Sequence, residues 1–130
     1  MFFPQKNLNI NLATIGGNMQ HTYTLKTNND FRRIYSKGKS FVNSGVVVYI
    51  SKNRIGYNRV GLTVGKKIGN AVKRNRAKRV MREAFMQFEN SLKNGYDIVL
   101  VARGRTVSLK STEVTRLLNT LFVKAEMLIR

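Results

Sequence analysis

The chain has 130 residues, no cysteine, 24 Lys and Arg against 6 Asp and Glu, and a formal net charge of +18. That length suits one compact domain with a real hydrophobic core, and the missing cysteine excludes disulfides, thiolate metal sites and cysteine nucleophiles. With 42% apolar residues the charge excess does not imply disorder; no apolar run approaches a bilayer span, and self-repulsion on this scale calls for an anionic partner.

Residues 1–20 are rich in Asn and small side chains, hold the only proline, Pro4, and lack a basic segment followed by a long apolar run. They are expected to be a disordered extension and not a secretory signal, with Met19 an alternative start. The folded domain is then expected over residues 21–130. Asn28, Asn29 and Asp30 offer N-cap chemistry for a short helix with Phe31, Ile34 and Tyr35 on one face, and Gly38 as its stop. Residues Val42 to Lys52, with Val46, Val47, Val48, Tyr49 and Ile50, predict a strand, or two if the run is broken.

Asn53 to Asn58 reads as a hairpin connection into a second strand. There Val60, Leu62 and Val64 alternate with Gly61, Thr63 and Gly65. The glycines leave one face bare, so either a tightly packed helix or a strand of nucleic acid could approach it; the residues do not choose between them. A long helix is predicted from Asn70 to about Asn90, its apolar stripe formed by Ala77, Val80, Met81, Ala84, Phe85 and Phe88. Asn75, Arg76, Lys78, Arg79 and Arg82 are placed on the opposite arc, and Lys73 and Arg74 in the first turn. Tyr96 to Ala102 is apolar on both alternations, as a strand covered on both faces is. A last amphipathic helix follows from Ser111 with Val114, Leu117, Leu118, Leu121, Phe122, Ala125 and Leu128. The coarse order is αββαβα, with no repeat.

Catalytic constellations are scarce. The only histidine is His21, beside the extension, and the acids Asp30, Glu83, Glu89, Asp97, Glu113 and Glu126 are scattered over separate predicted elements. Two-metal chemistry needs several carboxylates on one point. The segment GLTVGKK (Gly61 to Lys67) has the wrong glycine spacing for a phosphate loop and lacks the Ser or Thr that binds magnesium. By contrast, Lys66 to Arg82 carries eight cations and no acid. Ordinary solvated helix faces interleave Glu with Lys, so this block reads as a phosphate-binding surface, where Arg forks pair bidentately and Asn75 can reach sugar or base edges. Phe31, Tyr35 and Tyr49 are a softer signal. Aromatics beside cations stack unpaired bases, yet Phe31 reads better as core, while Tyr35 and Tyr49 stay open between core and a half-wet site.

Three segments carry a resemblance: NDFRRIYSKGKS (Asn29 to Ser40), RVGLTVGKKIGNAVKRNRAKRVMREAF (Arg59 to Phe85), and DIVLVAR (Asp97 to Arg103). Together they resemble the protein subunit of bacterial ribonuclease P, with Arg74, Asn75 and Arg76 standing at its Arg-Asn-Arg signature. The resemblance implies an α/β (α+β) two-layer sandwich of the ribosomal protein S5 domain 2-like kind. Its sheet would be mostly antiparallel and packed by helices, with a left-handed βαβ crossover where right-handed is the rule.

It also implies that Arg74, Asn75, Arg76, Lys78, Arg79 and Arg82 face the catalytic RNA. Phe31, Tyr35, Tyr49, Lys66 and Lys67 would bind the single-stranded 5′ leader of precursor tRNA. No protein residue would be catalytic: the RNA subunit would hold Mg2+ with the substrate and cleave, in the cytoplasm, with no membrane and no further protein partner. Many members carry Phe where this chain has Tyr35, and the extension before Met19 lies outside the family pattern. The residues alone also allow a structural binder of ribosomal RNA; a DNA-binding module ranks lower, since no helix-turn-helix pair surrounds the basic helix.

Overall fold

The computed structural model describes residues 22–25 and 27–129. The expected extension over residues 1–20, and His21, lie outside the described residues. One five-stranded sheet carries three α-helices: β1 (Thr22–Thr24), α1 (Asn28–Lys37), β2 (Lys39–Val42), β3 (Val46–Lys52), β4 (Asn58–Thr63), α2 (Ala71–Met86), β5 (Tyr96–Ala102) and α3 (Ser111–Lys124). The strand order is β1-β4-β5-β3-β2. The sheet is mixed: β2/β3 and β3/β5 are antiparallel, whereas β4/β5 and β1/β4 run parallel.

That topology corrects one expectation. Asn53–Asn58 is not a hairpin connection, because β5 inserts between β3 and β4 and pairs with both. The local cue was real, since Gly56 adopts φ 83° in a turn. What a turn cannot specify is which strand fills the neighbouring place. β5 is apolar on both alternations and gains most by lying centrally, so the chain passes from β4 through α2 to a parallel β5. The predicted first strand is indeed two, β2 and β3, and the three-residue β1 is too short for any periodicity to reveal.

Strand register sorts the side chains cleanly. Val60, Leu62, Ile98, Leu100, Ile50, Val48 and Val46 share one face with α2 and α3, and all are buried. The two helices lock through Phe122, whose ring meets Phe88 at 5.1 Å and Phe85 at 6.4 Å, both edge-on. Asn70 caps α2 by accepting from the Lys73 amide at 3.0 Å, as its position predicts. For α1 the cap is Thr27, one residue before the Asn-Asn-Asp run, accepting from the Asp30 amide at 3.1 Å. Helix α1 lies on the opposite face of the sheet, and the candidate site is built there.

Candidate nucleic-acid interface

On the α1 side the register aligns Arg59, Gly61 and Thr63 of β4 with Asp97, Val99 and Val101 of β5, and these with Ser51, Tyr49 and Val47 of β3. Helix α1 crosses only part of this face. Near its N-terminus Phe31 is 2% exposed. A Cβ on Gly61 would lie 2.4 Å from the Phe31 ring and 3.3 Å from Leu25. The bare glycine face therefore serves close helix packing, the first of the two readings its sequence allowed. Phe31 is core, as its spacing suggests, and does not line a cleft as the resemblance implied; the ring is committed to the space that Gly61 leaves.

Beside Phe31 lies a closed charge network. Asp97, 2% exposed, accepts from Arg59 Nε and Nη2 at 2.8 Å each and from Asn53 Nδ2 at 2.9 Å. Arg33 reaches Asp30 at 2.9 Å and Asp97 at 3.6 Å, and Arg59 reaches Asp30 at 3.7 Å. Burial pushes the Asp97 carboxyl up, but the bonds from Arg59 and Asn53 and the charges of Arg59 and Arg33 outweigh it and hold the group below its ordinary value. The bonds to Asp97 in turn raise Arg59. Residues that looked scattered in sequence thus bring two acids together, as ion pairs and not as metal ligands. Among the described residues no three His, Asp or Glu side chains converge to hold a metal ion.

Toward the end of β4 the same face opens. Tyr35 donates to Thr63 Oγ1 at 3.1 Å and meets the Tyr49 ring edge-on at 4.8 Å. Both tyrosines are half-buried, as is Val47, and Val42 beyond them is exposed. Burial pushes the Tyr35 hydroxyl up to about 12, so it stays a neutral donor at any physiological pH. The result is a shallow, half-open trough in which the two touching rings form one aromatic wall beside Val47 and Val42. Lys66 and Lys67 stand exposed in a single 3-10 turn (Lys66–Ile68) just past the end of β4. Gly69, at φ 143°, follows it and leads to the start of α2.

Helix α2 carries the remaining cations, and the structure divides them. Lys73, Asn75, Arg76 and Arg79 are exposed. Arg74 is half-buried and donates to the Gly69 carbonyl at 3.2 Å, while Arg76 Nε donates to the Val107 carbonyl at 2.9 Å. Lys78 and Arg82 are a correction: predicted on the arc opposite the core, they are 1% and 2% exposed. Counting about 100° per residue from Ala77, Lys78 falls at about 100°, on the border of the apolar stripe, and Arg82 at about 140°, beyond it, so the covered arc is wider than the stripe. Arg82 Nε and Nη1 are buried without a hydrogen-bond partner. Burial lowers Lys78, and the like charges of Arg74 and Arg82 lower it further.

With this geometry in view, the chain can be set beside known proteins. The ribonuclease P family model matches residues 19–126. The chain belongs to the ribonuclease P protein family. The "Ribonuclease P protein component" of Oceanobacillus iheyensis is 41% identical over 111 residues, covering 85% of this chain and 92% of the relative. That of Alkaliphilus metalliredigens is 47% identical over 85 residues, covering 65% and 77%. Among solved structures, the RNase P protein of Staphylococcus aureus superposes with a TM-score of 0.74 at 36% identity, covering 82% of this chain and 98% of that one. The Thermotoga maritima protein gives 0.67 at 35%, covering 75% and 94%. The chain is therefore a protein component of a ribonuclease, built as a single α+β domain. Among the described residues no helix is long and apolar enough to cross a membrane.

Proposed function

We propose that the chain is the RNA-binding subunit of ribonuclease P, assisting removal of the 5′ leader from precursor tRNA while the RNA subunit performs the cleavage. The observation that carries this reading is the half-open trough: Tyr35 and Tyr49 held edge to face over Thr63, with Lys66 and Lys67 at its end. An aromatic wall beside cations suits unpaired bases, whose π-faces stack whatever their identity, while the lysines meet the backbone phosphates.

In the same reading, the exposed row Lys73, Asn75, Arg76 and Arg79, with Arg74 at its edge, docks the catalytic RNA by phosphate neutralisation and counterion release. Arg76 and Arg74 are braced by backbone carbonyls, so part of their side-chain entropy is already spent before RNA arrives. Lys78 and Arg82, with their heads covered, strengthen the field of the row without touching phosphate. Mg2+ is then held mainly by the RNA subunit and the substrate. The protein's share is to screen repulsion between two polyanions and to keep the leader in register.

The test compares affinity for precursor and mature tRNA with the cognate RNA subunit present. Tyr49→Ala is expected to weaken precursor binding about tenfold or more and to leave mature tRNA binding unchanged, since stacking contributes about 1–3 kcal/mol per base. Equal losses for the two ligands would remove the leader assignment. Binding to the RNA subunit is expected to fall steeply with salt, with a log–log slope of roughly 0.7–0.9 per phosphate neutralised.

A further inference from the structure

A second aromatic pair lies at the other end of the sheet. Tyr23 of β1 and Tyr57, just before β4, have ring centroids 4.6 Å apart and planes tilted by 58°. They are 59% and 40% exposed, unusual for two rings in contact with each other. Beside them opens a cavity of about 450 Å³ lined by Tyr23, Tyr57, Glu89, Asn90, Asn94 and Ile129. That volume falls in the range of small-molecule sites and is ample for one nucleobase. Asn58 and Thr63 are five steps apart along β4, about 17 Å at strand rise, so this place is distinct from the trough at Tyr35 and Tyr49.

The loops around the rings are tied down by hydrogen bonds. Asn53 donates to the Tyr57 carbonyl at 3.0 Å, accepts from the Ile55 amide at 3.1 Å, and donates to Asp97 at 2.9 Å. The loop bearing Tyr57 is thus tied to the buried charge network. Asn58 fixes the opposite wall by donating to the Lys93 carbonyl at 2.9 Å and accepting from the Tyr96 amide at 2.9 Å. Exposed cations occur nearby in the chain: Lys52 and Arg54 flank Asn53, and Lys93 precedes Asn94. Glu89 is the one acid in the lining.

We propose that Tyr23 and Tyr57 form a second stacking site, which takes one unpaired base of a single-stranded RNA. The charge pattern decides for RNA over a protein partner. Protein interfaces bury aromatic anchors in cores depleted of charge, whereas here an exposed aromatic pair borders a cavity with two carboxamides in its lining, on a chain of net charge +18, as base and phosphate recognition favours. Asn90 and Asn94 each offer a donor and an acceptor to the edge of the stacked base. The site goes beyond the leader trough and does not depend on it.

The experiment is an amide NMR titration of the full chain carrying Tyr49→Ala, using single-stranded penta-adenylate at low salt. Tyr49→Ala disables the trough, so the second site is read alone. Saturable shifts at Tyr23, Tyr57 and Asn94 are expected. Adding Tyr57→Ala should weaken that response about tenfold or more, and Tyr57→Phe, which keeps the ring, should retain it. Silence at these residues in the Tyr49→Ala chain overturns the site, as does a response indifferent to Tyr57→Ala. Shifts that track protein concentration without RNA would also overturn it, by showing self-association at the same rings. Loss of response at Tyr35 alone, by contrast, reports on the leader trough and leaves this proposal standing.

Discussion

The two ends of the α1 face share one sheet and one covering helix, yet they are finished in opposite ways. At the end near Arg59 the face is sealed: Phe31 fills the space over Gly61, and Asp97, Arg59, Asp30 and Arg33 satisfy one another. At the end near Thr63 it is left half-wet, with Tyr35 and Tyr49 leaning on each other beside exposed Val42. The contrast teaches where to look for binding. Groups whose partners are internal stabilise the fold, and groups whose partners are incomplete wait for a ligand.

The comparison breaks most severely at Phe31. Phe31→Ala removes a buried ring over a glycine that cannot fill the gap, and is expected to cost about 3–5 kcal/mol in denaturant unfolding. If the loss were under about 1 kcal/mol, the sealed end would not be sealed. Gly61→Val approaches the same contact from the sheet and should cost about 2–3 kcal/mol by overpacking.

Asp97→Asn comes next, at about 2–3 kcal/mol, since it strips charge-assisted bonds from a partly exposed Arg59. Its pH dependence has a definite sign. The folded carboxyl is depressed, so its contribution is fully present above the unfolded value of about 3.9 and is lost as pH falls through the folded value. Thermal unfolding followed from pH 6 to pH 2 should show a smaller acid-induced drop in Asp97→Asn than in the parent chain. Identical drops would deny Asp97 that role.

Smaller effects on the fold are expected at the open end and on α2. Tyr35→Phe removes only the bond to Thr63 and should cost about 0.5–1.5 kcal/mol of stability. It keeps the aromatic wall, so precursor tRNA binding is expected to survive it; a large loss would mean that the hydroxyl itself contacts the leader. Arg79→Ala, on an exposed helix position, should change stability by less than about 0.5 kcal/mol. Its signature is instead a salt slope for RNA-subunit binding shallower by roughly 0.7–0.9. An unchanged slope would take Arg79 off the docking surface.

Much of this was legible in the residues themselves. The period of Ala77, Val80, Met81, Ala84 and Phe85 places α2, and Asn70 caps it where expected. The β-branched runs place β3 and β5, and the acid-free stretch from Lys66 to Arg82 marks the basic surface. The clustering of Asp30 with Asp97 was not legible, because the acids are 67 positions apart (97 − 30) and their meeting depends on strand order. The burial of Lys78 and Arg82 escaped for a related reason. A helical wheel ranks directions around an axis, but how wide an arc is covered depends on what packs beside it. Tyr23 and Tyr57 escaped too, since β1 has three residues and pairs with a strand far along the chain.

Local chemistry, then, is what the amino-acid order determines by itself: the periodicities, caps and unbroken run of positive charge that make helices, strands and a surface for polyanions. Adjacency across the sheet belongs to the tertiary structure. It placed β5 between β3 and β4, put Gly61 under Phe31, and left Tyr35 and Tyr49 with one side open. The physical reason is that propensity acts over a few neighbouring residues, whereas burial and ion pairing are settled by whichever distant segments share a face.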